Sequence, residues 1–280
     1  MRVINTKDLI PVVKDLVIKA CTDLDDNLME ALTQSIKVEE SELGKEVLET
    51  LIENANLARE KEAPCCQDTG IAVVYLEIGQ EVCWEGPGLT DSINEGVRQG
   101  YKEGYLRNSV VGDPIIRENT KDNTPAVIHT KIVEGRQVKI TVMPKGAGSE
   151  NMGRASVLKP ADGVEGIMNY VMETVGNAGG KACPPLIVGV GLGGSMEKST
   201  LLAKEALQRP IGDRSPVSHI AALEAELLTK INDLGIGPIG IGGRVTALDV
   251  HIETFPCHIA SLPISVNLQC HANRHASKTI

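Results

Sequence analysis

Aromatic side chains are nearly missing from this chain of 280 residues: one Trp (Trp84), one Phe (Phe255) and four Tyr, 2% in all. A core so poor in rings has to be filled by Val, Ile, Leu and Ala, and nothing is left to build a platform for stacked bases. Positive charge is also short, with 28 Lys and Arg against 37 Asp and Glu and a formal net charge of −9. General affinity for a phosphate backbone is excluded with it. No apolar run reaches the roughly 18–20 residues that span a bilayer. The N-terminus, Met1-Arg2-Val3-Ile4-Asn5-Thr6-Lys7-Asp8, has no apolar signal-peptide core. A cytoplasmic protein with no nucleic-acid or membrane partner is expected. There is no C-x-x-C pair either. The seven cysteines (21, 65, 66, 83, 183, 257 and 270) are odd in number and scattered. In a reducing compartment they are thiols, and each is core filler, a metal ligand or a cluster ligand.

What is present is an ordinary globular composition, 42% hydrophobic and 23% charged, with enough length for a substantial core. Residues 8–62 read as helical: Leu9, Val12, Val13, Leu16, Val17 and Ala20 recur at three-to-four spacing, and 26–38 and 43–62 repeat the pattern. Pro64 closes the third helix. The β-branched run 71–79 reads as a buried strand, and 89–107 as a helix capped by Thr90 or Asp91. Strands over 126–132 and 137–143 flank Glu134-Gly135, which signals a hairpin. A polar, glycine-rich loop over 144–151 follows, suited to close approach of an anion. Further on come a helix over 163–177, a strand over 186–190, helices to about 208 and over 216–233, and strands over 245–252 and 262–268. Asp249 and His251 share one face of their strand. With no repeat, low-complexity tract or linker, residues 1–280 are expected as one α/β domain: N-terminal helices, then mixed sheets packed by helices.

The chemistry concentrates in Pro64-Cys65-Cys66-Gln67-Asp68-Thr69-Gly70, a turn between a helix and a buried strand. Two other patterns compete with it. Gly189-Val190-Gly191-Leu192-Gly193-Gly194 is a formal G-x-G-x-x-G, but no second strand ending in an acidic residue follows about 20 positions on, so tight strand-to-helix packing is the better reading. Cys257, His258, Cys270, His271 and His275 crowd the C-terminus, yet no cysteine pair has zinc spacing, and a polar C-terminal surface is the plainer reading. A cluster assembled from single cysteines stays open, with Cys66, Cys183 and Cys270 each at a loop edge beside a strand.

Four blocks now carry a resemblance. They are Cys66-Gln67-Asp68-Thr69-Gly70; Lys145-Gly146-Ala147-Gly148-Ser149; Cys183-Pro184-Pro185 with Gly193-Gly194-Ser195; and His258-Ile259-Ala260-Ser261 through Cys270-His271-Ala272-Asn273-Arg274. In this order, over nearly the whole chain, they resemble the iron–sulfur (alpha) half of class I fumarate hydratase, a half shared with the L(+)-tartrate dehydratase alpha subunit. The resemblance implies a [4Fe-4S] cluster on Cys66, Cys183 and Cys270, with the fourth iron free to act on substrate as a Lewis acid. It implies substrate contacts from Gln67, Asp68, Arg107, Gly146 and His258 to a dicarboxylate. Ala147 stands where the family commonly has glycine, and His271 and Asn273 where it has other polar or negative residues; the ligands are untouched by these departures. The family's catalytic base and further arginines lie in a C-terminal domain, so they are expected on a beta subunit, with alpha–beta pairs forming a larger symmetric oligomer. The implied activity is reversible hydration of fumarate to (S)-malate. Tartrate dehydration and a non-catalytic, cluster-stabilised scaffold are the alternatives.

Overall fold

A computed structural model describes residues 1–280, and its helices fall where the apolar residues recur three to four apart. In chain order the elements are β1 (Arg2–Asn5), α1 (Leu9–Thr22), α2 (Asp26–Val38), α3 (Glu42–Lys61), β2 (Ile71–Gly79), β3 (Val82–Glu85), α4 (Leu89–Glu103), β4 (Val127–Val133) and β5 (Val138–Lys145). There follow α5 (Ala147–Glu150), β6 (Arg154–Leu158), α6 (Gly163–Ala178), β7 (Leu186–Gly193), α7 (Met196–Ala206), α8 (Ser218–Asn232), β8 (Ala247–Phe255), β9 (Leu262–Gln269) and β10 (Ala276–Thr279). The class is α/β, helices with mixed sheets, as expected. No helix is long and apolar enough to cross a membrane. The chain gathers into two compact units, one of Met1–Leu24, Asn54–Ala147 and Arg274–Ile280, the other of Asp25–Glu53 and Gly148–Asn273.

The first unit is built on a four-stranded sheet ordered β10-β5-β2-β4, with β1 and β3 as a separate parallel pair. Helices α1 and α4 pack together beside it. Val13, Val17, Ile93, Val97, Val74, Ile140 and Val142 meet in its core, an aliphatic interior as the composition demands. The hairpin expected around Glu134-Gly135 does not form. Strand β4 pairs with β2 in parallel and β5 pairs with β2 antiparallel, so β2 lies between them. The connection passes over the end of β2, where Gly79 N–H donates to Gln137 O at 2.8 Å and Glu81 N–H to Gly135 O at 3.1 Å. The turn glycine was a true signal, but β2, buried and β-branched, is the better partner for both strands. Helix α4 starts at Leu89 as expected, but its N-cap is Gly88 rather than Thr90 or Asp91, and it stops at Glu103 rather than 107. Tyr105 beyond it is left-handed, with φ 52°.

The second unit carries a sheet ordered β6-β9-β7-β8, parallel between β7 and β8 and antiparallel elsewhere. Ile264, Val266 and Leu268 join Ile167, Val171, Leu223 and Leu227 in the core beneath α6 and α8. The opposite face meets α7, where Ser265 Oγ lies 2.7 Å from Ser199 Oγ. Gly189 and Gly191 face that helix. A Cβ on Gly189 would stand 2.1 Å from Ala203 O, and one on Gly191 2.0 Å from Ser199 O. The glycine pattern is therefore strand-to-helix packing. Asp249 and His251 share a face as expected, with His251 Nε2 3.1 Å from Asp249 Oδ2. The loop expected over 144–151 is instead the end of β5 and the short α5. The C-terminal segment is only in part a polar surface: Asn273 and Arg274 are buried, His271 and His275 are partly exposed and Ser277, Lys278 and Thr279 are exposed.

One buried carboxylate pins the glycine-rich segment before β8. Glu39, 3% exposed, accepts from the N–H groups of Glu40, Ser41, Arg244 and Val245 at 2.9, 2.8, 2.9 and 2.7 Å. Burial pushes its carboxyl up, but these donors outweigh burial and hold it below its ordinary value. A depressed carboxylate adds stability above its unfolded pKa of about 4.3, and that stability is lost as pH falls through the folded value. Glu39→Gln is expected to cost about 2–3 kcal/mol at neutral pH. The gap to the parent should close on acidification below about pH 4, as read by urea denaturation; a pH-independent gap would contradict this.

Candidate active site

The Cys66–Gly70 turn is held from five directions within the first unit. Its base is fixed by Cys65, whose N–H donates to Cys21 O at 3.0 Å and whose carbonyl accepts from Asn54 Nδ2 at 2.9 Å. Cys21 and Cys65 are buried, and burial pushes the Cys21 thiol up to about 12, so it is inert at neutral pH. Asp68 braces the turn itself: Oδ1 accepts from Gly70 N–H at 3.0 Å and Oδ2 from Ala147 N–H at 2.8 Å. The Asp68 carbonyl accepts from Arg274 Nη1 at 2.6 Å. Thr69 Oγ1 donates to Arg107 O at 3.0 Å. Tyr101 and Asn123 close the far side through the Thr69 and Gly70 carbonyls, at 2.8–3.1 Å. Burial raises the Tyr101 phenol well above its ordinary value, so it remains a donor.

Sheet pairing brings the next block alongside. Ile71 in β2 is opposite Lys145 in β5, which sets Gly70 against the Lys145 backbone. Gly70 is left-handed, with φ 71°, and a Cβ there would lie 2.5 Å from the Lys145 carbonyl. A Cβ on Gly146 would meet Arg274 Nη2 at 3.1 Å and Asp68 Oδ2 at 3.3 Å. Cys66, Gln67, Asp68 and Gly146 thus form one group. Arg107 joins it through its carbonyl, with its side chain exposed. Cys66 Sγ lies 3.5 Å from Gln67 Oε1.

In the second unit, antiparallel pairing of Ile187 with Gln269 puts the start of β7 and the end of β9 at the same sheet edge. Cys183 precedes the one and Cys270 follows the other, and His271 N–H donates to Cys183 O at 3.2 Å. Cys183 is exposed and left-handed, with φ 55° and ψ 65°. His258 is placed elsewhere. It precedes the eight-residue β9 that Cys270 follows, so the two flank opposite ends of that strand. Gly194 is at the His258 end, its N–H donating to Phe255 O at 3.3 Å. Within this chain β9 thus separates His258 from Cys183 and Cys270.

Residues 10–279 match the family model described as fumarate hydratase (Fumerase). The chain belongs to that family. Its activity class is hydro-lyase. A Methanocaldococcus jannaschii protein, provisionally named the alpha subunit of an L(+)-tartrate dehydratase, is 46% identical over 275 residues, covering 96% of each chain. The Escherichia coli K12 L(+)-tartrate dehydratase subunit alpha is 31% identical over 272 residues, 96% of this chain and 89% of that one. The same values hold for the Shigella sonnei subunit of that name.

The residues present fit an iron–sulfur cluster by the chemistry of their donors. None of the seven cysteines is in a disulfide, and Cys66, Cys183 and Cys270 are each partly or fully exposed. Gln269, beside Cys270 and 1% exposed, has neither Oε1 nor Nε2 hydrogen-bonded. A buried amide costs free energy without a partner, and an anionic group at Cys270 would give its N–H one. No three His, Cys, Asp or Glu side chains converge as ligands of a single ion. A cluster spreads its thiolates over separate irons of one cubane, so its ligands are set wider apart than those of a single ion.

The sequence reading missed Arg274, Tyr101 and Asn123 as parts of this site. Tyr101 follows Ile93 and Val97 on the apolar stripe of α4 and looks like core. Arg274 ends the last resembling block, and its burial (2%) was the hidden feature. Arg274→Lys loses the guanidinium bond to the Asp68 carbonyl and should cost about 2–3 kcal/mol in denaturant unfolding. Gly70→Ala should cost about 3 kcal/mol or more, because a left-handed backbone and a blocked Cβ act together.

Proposed function

We propose that this chain is the alpha subunit of a two-subunit, iron–sulfur-dependent fumarate hydratase that interconverts fumarate and (S)-malate. The family match over residues 10–279 carries the reading. Cys66, Cys183 and Cys270 would hold a [4Fe-4S] cluster. When bound, it supplies an open iron that polarises the substrate hydroxyl as a Lewis acid. Gln67, next to the first ligand, faces the hydroxyl region of the diacid. Arg107 clamps a carboxylate with its planar pair of donors. Gly146 lets backbone come close to the other end of the diacid, in space that a Cβ would fill. Asp68 keeps this wall in register through the bonds it accepts and lines the carboxylate region. The proton is removed by a base on a beta subunit that carries the family's C-terminal-type domain, and alpha–beta pairs assemble symmetrically. Dispersed cysteines without a disulfide suit a cytoplasmic setting.

A second reading is water elimination from L(+)-tartrate. It is favoured by the names of the relatives at 46% and 31% identity. The same residues serve it, because tartrate is the same diacid with one more hydroxyl. Side-by-side turnover of malate and tartrate by the anaerobically loaded alpha–beta enzyme separates the two.

Cys66→Ser, Cys183→Ser and Cys270→Ser should each lower iron bound after anaerobic reconstitution, while Cys21→Ser and Cys83→Ser should leave it unchanged. Iron retained by all three ligand variants would sink the ligand assignment. Arg107→Lys should raise KM for the diacid about tenfold or more, with iron content intact, since a point charge replaces a bidentate fork.

A further inference from the structure

Arg107 stands on a stretch that no helix or strand holds. Helix α4 ends at Glu103 and β4 begins at Val127, with an isolated bridge between Val111 and Asn119 in the interval. The Arg107 side chain is exposed, yet the backbone on both sides of it is fixed. On one side Leu106, which is buried, donates its N–H to Tyr101 O at 2.9 Å. On the other, the Arg107 carbonyl accepts from Thr69 Oγ1 at 3.0 Å. Just beyond, the N–H groups of Ser109 and Val110 both donate to Asn123 Oδ1, at 2.6 and 3.2 Å. A flexible guanidinium is thus rooted in a fixed main chain. A bidentate clamp needs such a root, because a small displacement of its fork misplaces both donors at once.

The same two side chains belong to, or hold, the turn that carries Cys66. Thr69 is part of that turn. Asn123 Nδ2 donates to Gly70 O at 3.1 Å, so one amide accepts from the Arg107 segment and donates to the turn. Thr69 and Asn123 are both completely buried. Asn123 is left-handed, with φ 58°, a conformation that Asn adopts more readily than most residues. Burying a hydroxyl and an amide costs free energy unless their bonds are made, and an apolar side chain would fill space without that cost. What the polar pair adds is a fixed spacing between Arg107 and the wall formed by Gln67, Asp68 and Gly146.

We infer that Thr69 and Asn123 are positioning residues for the diacid: they touch no substrate themselves but set the Arg107 guanidinium at its distance from the Cys66–Gly70 turn. The inference rests on the reading of Arg107 as the carboxylate clamp. It is tested by steady-state kinetics of the anaerobically loaded alpha–beta enzyme with malate and with tartrate, alongside iron content. Thr69→Val removes the hydroxyl and keeps the shape of the side chain. KM for the diacid turned over should rise about fivefold with kcat within about twofold, the pattern of lost uniform binding. Iron content should stay parental. Thr69→Ser keeps the hydroxyl and should restore the parental KM. Asn123→Asp can still accept from Ser109 and Val110 but cannot donate to Gly70 when ionised, and its KM should rise similarly. In an Arg107→Lys background, Thr69→Val should add less than about twofold, because the clamp it positions is already lost. A parental KM in Thr69→Val, a Thr69→Ser variant no better than Thr69→Val, or a full fivefold rise on top of Arg107→Lys would each overturn the inference and leave the clamp in place. Loss of iron in Thr69→Val would make Thr69 a support of the cluster-bearing turn and overturn it too. A parental KM in Arg107→Lys alone, or no turnover of either diacid by the parental enzyme, would overturn the reading beneath the inference and the inference with it.

Discussion

The bond from the buried Arg274 guanidinium to the Asp68 carbonyl, 2.6 Å long, is the interaction on which the near wall of the site depends. Asp68 has both carboxylate oxygens engaged with backbone N–H groups, of Gly70 and Ala147. Without a cation behind its main chain, the turn would hold a carboxylate and a row of carbonyls with only neutral donors around them. Arg274 supplies that charge, and it does so from the sequence block that contains Cys270. A cysteine-bearing turn near the start of the chain is thus braced by a residue more than 200 positions later. Gly146 has to be small for the same reason, since a side chain there would press on both members of the contact.

Register does the rest of the positioning. Pairing of β2 with β5 puts Gly70 beside Lys145-Gly146, and pairing of β7 with β9 puts Cys183 beside Cys270. A one-residue slip in either ladder would turn the following loop to the other face. The aliphatic cores protect both registers. With almost no aromatic rings to fill space, Val, Ile and Leu interlock at close range, and glycines such as Gly189 and Gly191 admit a helix backbone almost onto the sheet.

Much of this was legible from local pattern. The helices α1 to α3, the strand β2 and the helix α6 follow from apolar spacing, because each buries one continuous stripe. The short strands β1, β3, β6 and β10 escaped notice; their four or five residues hold too little periodicity, and only a partner strand defines them. The false hairpin at Gly135 shows the same limit, since a turn signal says where the chain bends and not which strand lies between the arms. At the site, Cys66, Gln67, Asp68 and Gly146 were found through resemblance, and their contacts gather them as a group. His258 was found the same way, and it flanks the end of β9 opposite Cys270. Arg274, Tyr101 and Asn123 act through burial and long-range hydrogen bonds, which no local spacing encodes.

The central claim is that three thiolates of this chain hold a cluster whose remaining iron meets the substrate. Mössbauer spectroscopy of the alpha–beta enzyme, reconstituted anaerobically with iron-57, tests it most directly. Adding malate or tartrate should change the signal of one iron site and leave the others as they were. A spectrum without cluster signals, or one in which no iron responds to either diacid, would contradict the account.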